Sequence, residues 1–264
     1  MLRYASLFSG SSGNCIYIGD RDGGFLVDTG VTAKRVEIAL RDREIDPRRI
    51  HAVLVTHEHD DHIKGLAILC KRYGWPVLAS VGTLDALLDK KLFSAEYPLY
   101  VMQAGKPSAV ADWQILPFSS PHDSRECLGY RLDGPDGRSA AVATDIGVMT
   151  QEILDSVAGC QLIHIESNHD VPMLLNGPYP PYLISRIRGK KGHLSNDECA
   201  AVLPGLAQTG TQRFVLGHLS QHNNTPQLAS ETAVRSLSAA GCAVGRDCLL
   251  SVAEPIGTQP LTYF

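Results

Sequence analysis

The stretch Ala52-Val53-Leu54-Val55-Thr56-His57-Glu58-His59-Asp60-Asp61-His62 decides how this chain is read. Its first half is short and apolar, the pattern of a strand buried in the middle of a sheet. Its second half has the form H-x-H-x-D-H. In extended chain His57 and His59 project to the same side. A turn into a following helix brings Asp61 and His62 round to a neighbouring position. Imidazole nitrogen and carboxylate oxygen are ligands for zinc, and also for manganese or iron. Buried without a metal, such a cluster would leave many polar groups to satisfy. The competing reading is a solvated, polar helix start.

Working outward, the segments 3–8, 14–19 and 25–28 predict strands. They are separated by the polar stretch 9–13 and the turn 21–24. The spacing of Ala33, Val36, Ala39 and Leu40 predicts an amphipathic helix over 33–44, and helical spacing resumes over 63–73. Further strands are expected at 76–80, 113–118, 128–133, 140–145, 161–166 and 214–219. Thr150 and Thr225-Pro226 are helix starts. Ser195 and Glu198 form a capping box. Residues 172–192, rich in Pro, Gly, Tyr and basic side chains, read as a long irregular loop. No repeat, low-complexity tract or linker is evident, so one domain over residues 1–264 is expected.

Composition sets outer limits. The chain has 264 residues, 44% hydrophobic and 20% charged, with a net charge of −4. That is a globular composition, long enough to bury a core without disulfides. It excludes extensive disorder and gives no bulk attraction to polyanions or membranes. Seven cysteines with no C-x-x-C pair read as free thiols in a reducing compartment, hence a cytoplasmic protein. No apolar run approaches a membrane span.

The string from His57 to His62 resembles the signature of the metallo-β-lactamase superfamily. Other motifs of that family occur in order: Asp28 in Leu26-Val27-Asp28-Thr29-Gly30, His122 in Ser120-Pro121-His122-Asp123, Asp145 in Ala143-Thr144-Asp145, and His218 in Val215-Leu216-Gly217-His218. The resemblance implies an α/β fold of four layers, αββα, with two central mixed sheets flanked by helices. It also implies two divalent metals, zinc or manganese, with iron permitted. One would take His57, His59 and His122, the other Asp61, His62 and His218, with Asp145 between them. Asp28 would hold a ligand imidazole. A water activated by the metals would attack, with Asp61 orienting it or taking its proton.

Local features favour phosphodiesters over carboxylic esters. His193 stands two residues before the helix N-cap Ser195, where backbone N–H groups attract anions. It could bind a phosphate or protonate a leaving oxygen, and otherwise reads as an exposed loop histidine. Arg186, Arg188, Lys190 and Lys191 place four cations within six residues, either a phosphate-backbone patch or a solvated loop. Tyr179 and Tyr182 could stack on bases or serve packing.

The strings Ser9-Gly10-Ser11-Ser12-Gly13-Asn14, Glu166-Ser167-Asn168-His169-Asp170, Gly192-His193-Leu194-Ser195-Asn196 and His218-Leu219-Ser220-Gln221-His222-Asn223-Asn224 resemble the YycJ/WalJ group over nearly the whole chain. That resemblance implies a 5′→3′ exonuclease on duplex DNA, linked to DNA repair. Expected site residues are therefore Asp61 and His193 for catalysis, and His193, Arg188, Lys190 and Lys191 for substrate. The alternatives are a hydrolase of a small phosphodiester, lactone or thioester, or a metal- or DNA-binding module without activity. A homodimer is compatible with the sequence. His51 and His164 read as structural. Glu166 and His169 lie beside the site with roles left open, and residues 9–14 either approach it with backbone donors or form simply a tight polar turn.

Overall fold

Short apolar runs punctuated by Gly and Asp become strands because their side chains are buried on both faces. The computed structural model describes residues 1–258 and 260–264. Among these it has fourteen strands in two mixed sheets of seven, flanked by helices. The chain divides into two units. The first comprises Met1–Ser119, Ser124–Arg138 and Glu254–Phe264, the second Ser120–Asp123 and Ser139–Ala253.

The first unit contains β1 (Arg3–Phe8), β2 (Cys15–Gly19), β3 (Gly24–Val27), β4 (Ile50–Leu54), β5 (Val77–Ala79), β6 (Leu99–Val101), β7 (Ser108–Val110), β8 (Trp113–Ser119) and β9 (Leu128–Asp133). The second contains β10 (Ser139–Ala143), β11 (Leu162–Glu166), β12 (Arg213–Gly217) and β13 (Leu249–Val252), and β14 (Thr262–Tyr263) returns to the first. One sheet runs β14-β1-β2-β3-β4-β5-β6, antiparallel through β3 and parallel from there on. The first unit also holds the antiparallel run β7-β8-β9, and the second unit the parallel run β10-β11-β12-β13.

Helices α1 (Ala33–Arg41), α2 (Asp60–Ile63), α3 (Leu66–Tyr73) and α4 (Val81–Asp89) belong to the first unit. Its core includes Leu7, Leu26, Val36, Leu40, Val53 and Leu69. Helices α5 (Gln151–Val157), α6 (Val171–Asn176), α7 (Pro181–Ile187), α8 (Asn196–Gln208) and α9 (Pro226–Ala239) belong to the second. Thr150, Ser195 and Thr225 cap their helices as the sequence predicts, Ser195 within a complete capping box.

Two expectations need correction. Residues 172–192 are not irregular but carry α6 and α7. Asp170 accepts a hydrogen bond from the Met173 N–H at 2.8 Å, starting α6, and Pro181 opens α7. These are ordinary helix-start signals inside a composition that looks like loop. The helix expected over 63–73 is interrupted at Gly65, whose N–H donates to the Thr29 carbonyl at 2.8 Å instead of continuing the helix.

The parallel register sets the second unit's geometry. Ala143 pairs with Ile165, and Glu166 with Gly217. The carboxyl ends of β10, β11 and β12 therefore lie side by side, the edge where α/β sheets place ligands. His164, one turn of the pleat before Glu166, is fully buried, and burial pushes its imidazole down to about 3. The unfolded chain, with a value near 6.5, takes up a proton there that the folded chain refuses. Stability is therefore expected to fall as pH drops from about 6.5 toward 3. In denaturation at pH 7 and 4.5, His164→Gln should lose about 2–3 kcal/mol less than the parent. Equal losses would contradict this assignment.

Candidate metal centre

In the first unit, β3 and β4 end as parallel neighbours. Asp28 follows β3 with a left-handed φ of 61° and donates its N–H to the Leu54 carbonyl at 2.9 Å. A non-glycine residue in that region marks strain held in place by its surroundings. The Asp28 carboxylate accepts from the Thr56 N–H (2.9 Å), the Thr56 hydroxyl (2.8 Å) and His62 Nδ1 (2.8 Å). Burial pushes this carboxyl up, and these three donors oppose the rise.

The Thr56 hydroxyl donates to Asp28, so its lone pairs face the imidazoles. His57 Nδ1 lies 3.0 Å from it. With Nδ1 so engaged, His57 Nε2 keeps its lone pair, 3.0 Å from His59 Nδ1. His62, held through Nδ1 by Asp28, turns Nε2 toward Asp61, 3.5 Å from the carboxylate. His57 and His62 are each fixed by one nitrogen and offer the other, the arrangement that selects tautomer and aim in a metal ligand. The structure thus brings Asp28, His57, His59, Asp61 and His62 together.

The second unit repeats this logic. Asp145 and His218 follow β10 and β12 with left-handed φ values of 57° and 56°. His122 directs Nδ1 to the Gly192 carbonyl at 3.2 Å, which leaves Nε2 3.7 Å from Asp145 Oδ1. His218 donates Nδ1–H to Glu166 at 2.7 Å, which leaves Nε2 3.6 Å from the same Asp145 oxygen. His193 also donates Nδ1–H to Glu166, at 2.9 Å. Asp145, Glu166, His193 and His218 each offer a ligand atom within 4.8 Å of the others. Burial lowers the His122 imidazole, favouring the neutral form that a metal requires.

Glu166 is one of the residues whose role the sequence leaves open. It is fully buried, and four donors converge on its carboxylate: two histidines, the Ile146 N–H (2.7 Å) and the Leu194 N–H (3.2 Å). Burial alone would raise it, but His193 and His218 hold it well below the usual carboxylate range. The available signal was an acidic residue closing an otherwise apolar strand run. Asn14, which places its amide 3.1 Å from His62 Nε2, was likewise not singled out.

The basic stretch is less uniform than its composition suggests. Arg186 is paired with Asp123 at 2.5 Å. Arg188, Lys190 and Lys191 are exposed. The Lys190 backbone rests on Gly147, where an added Cβ would lie 2.3 Å from the Lys190 carbonyl. Tyr182 is 75% exposed, whereas Tyr179 packs edge-on to His222. His169 is buried, with its carbonyl accepting from the Asn196 N–H.

The donor chemistry fits hard or borderline divalent cations: imidazole nitrogens and carboxylate oxygens, with no thiolate among them. A profile of the β-lactamase superfamily domain matches residues 24–219, which span all of these residues. Exodeoxyribonuclease WalJ of Streptococcus pneumoniae is 33% identical over 262 residues, covering 98% of this chain and 97% of the relative. The chain belongs to the metallo-β-lactamase superfamily, in the WalJ/YycJ group. Exodeoxyribonuclease YycJ of Bacillus anthracis is 32% identical over 244 residues, 92% of each chain. The crystal structure of the metallo-β-lactamase fold protein YhfI of Bacillus subtilis covers all of both chains with a TM-score of 0.74 at 14% identity. The metallo-β-lactamase fold of this group implies divalent metal ions and a metal-dependent hydrolase. Among the described residues no helix is long and apolar enough to cross a membrane.

Proposed function

We propose that the chain is a dinuclear metal-dependent phosphodiesterase that removes nucleotides from duplex DNA. The ligand sets are those the resemblance assigns: His57, His59 and His122 for one metal, Asp61, His62 and His218 for the other, with Asp145 shared. Zinc and manganese both suit these donors. When bound, two such ions supply Lewis acidity and lower the pKa of an attacking water. The observation that carries the reading is the set of held imidazoles, each anchored through Nδ1 by Asp28, Thr56, Gly192 or Glu166. The DNA substrate is supported by the relatives named exodeoxyribonucleases, matched over nearly the full chain. The 5′→3′ direction and the link to DNA repair rest on the family resemblance. Residues 1–264 as one domain, and a cytoplasmic setting supported by free cysteines, belong to the same reading.

The chain's own residues divide the work. Asp61 orients the attacking water and accepts its proton. His193 gives Nδ1 to Glu166, so Nε2 faces the substrate and protonates the departing oxygen. Its side chain is 19% exposed, open enough to meet a ligand. Arg188, Lys190 and Lys191 draw in the phosphate backbone.

The purified protein, loaded with manganese or zinc, is tested on 5′-phosphorylated duplex DNA, RNA and a small chromogenic phosphodiester. Release of nucleotides from DNA is expected; a fully metallated protein that cleaves none of the three would sink the reading. Lys190→Ala with Lys191→Ala should weaken DNA binding and flatten the log K against log salt slope by about two. An unchanged slope would make this stretch a solvated loop.

A further inference from the structure

A second feature of the first unit borders Asp61. An open cleft of about 590 Å³ is lined by Ser11, Ser12, Asp61, Lys64, Lys90 and neighbouring residues. One wall is the tip of the polar loop 9–14, and that loop is locked to the histidine motif. The Gly10 N–H donates to Asn14 Oδ1 at 2.9 Å and the Gly13 N–H to the Gly10 carbonyl at 3.0 Å. The Asn14 N–H donates to the Asp61 carbonyl at 2.8 Å, and the Gly30 N–H to the Asn14 carbonyl at 2.7 Å. The approach is so close that a Cβ on Gly30 would lie 1.6 Å from the Asp61 carbonyl oxygen. Ser11 and Ser12 are left exposed at the tip, on a segment whose position is set by its two ends.

The charged residues lining the cleft separate cleanly. Lys90 is committed, its ammonium donating to the Glu58 carbonyl (2.8 Å) and the Asp60 carboxylate (3.0 Å). Asp60 is thereby matched, and Asp61 belongs to the metal set. Lys64 is exposed and, among the described residues, has no ion-pair partner. The cleft therefore offers two hydroxyls and one unmatched cation next to a residue of the reaction centre. That is the chemistry of a phosphate contact: hydroxyl and ammonium donors to a diester oxygen fix the register of a strand.

We propose that this cleft binds a backbone phosphate of the DNA strand, adjoining the bond to be cut, through Ser11, Ser12 and Lys64. The inference rests on the DNA-hydrolysis reading above. It makes these three residues positioning groups that discriminate a polynucleotide from a small diester.

The test compares the parent, Ser11→Ala/Ser12→Ala and Lys64→Ala. For the metal-loaded enzymes, kcat and KM are measured on duplex DNA and on the small chromogenic phosphodiester. DNA binding by the metal-free proteins is followed by fluorescence anisotropy across a salt series. The expected result is a fall in kcat/KM on DNA of about tenfold relative to the small diester, carried by KM, for each variant. Lys64→Ala should also lower the salt slope by about one. Equal losses on both substrates would overturn the proposal, since the loop would then only support the metal motif. Unchanged KM and salt slope on DNA would overturn it as well, while leaving DNA hydrolysis standing. A parent that cleaves the small diester but neither binds nor cleaves DNA would take down both readings.

Discussion

Glu166→Gln is expected to lower DNA cleavage by about 10²–10⁴-fold, the range for loss of a positioned general acid. The loss follows from the hydrogen bonds that the carboxylate accepts. Oε1 accepts from His193 and His218, and Oε2 accepts from the Ile146 and Leu194 N–H groups. All four partners of the carboxylate are donors. A glutamine has one oxygen and one NH₂, so whichever way it turns, two donors face an NH₂ group. Each buried donor left unsatisfied costs about 1–3 kcal/mol. If the histidines lose the contest, both rings lose their anchor. Metal affinity should then fall by about 10–100-fold, as when a group behind a ligand is removed. Activity, metal titration and thermal denaturation read these effects separately. A variant within about threefold of the parent, fully metallated and equally stable, would contradict the central place given to Glu166.

His193→Ala should separate two substrates. On DNA the departing group is a sugar alkoxide, a poor leaving group that needs a proton. Loss of the His193 imidazole should therefore cost about 10²–10⁴ in kcat. A nitrophenyl diester leaves as a stable phenolate and needs no such help, so its cleavage should fall far less. Equal losses on both substrates would instead place His193 among the metal-holding groups, where its proximity to Asp145, 3.7 Å, would have to be reinterpreted.

What could be read from the chain follows from how local each signal is. The gathering of His57, His59, Asp61 and His62 is encoded in one short string, and a strand-to-turn geometry suffices to bring them together. Asp28 reaches them because β3 and β4 are parallel neighbours, a pairing that the two apolar runs do not specify. His122, Asp145 and His218 lie far apart in sequence, and only their order along a known family pattern singled them out. The part played by Glu166 depends on a register, Glu166 beside Gly217, that no local pattern specifies. Arg186 looked like one of four equivalent cations. Its partner Asp123 stands 63 residues away, so the pairing was invisible in the sequence. The helices α6 and α7 were hidden for another reason. Proline and glycine dominated the composition there, although Asp170 and Pro181 carried the start signals. The short edge strands β6, β7, β13 and β14 have too few residues to show a period.

The most direct test of the account is a count of metal ions per chain, made alongside cleavage of 5′-phosphorylated duplex DNA. The metal-free protein is titrated with manganese or zinc, and bound metal and released nucleotides are measured on the same samples. The account predicts two ions per chain, activity that rises with their binding, and loss of both in Asp145→Asn. A folded protein that cleaves DNA at full rate with no bound metal, or that binds two ions and cleaves no phosphodiester, would contradict it.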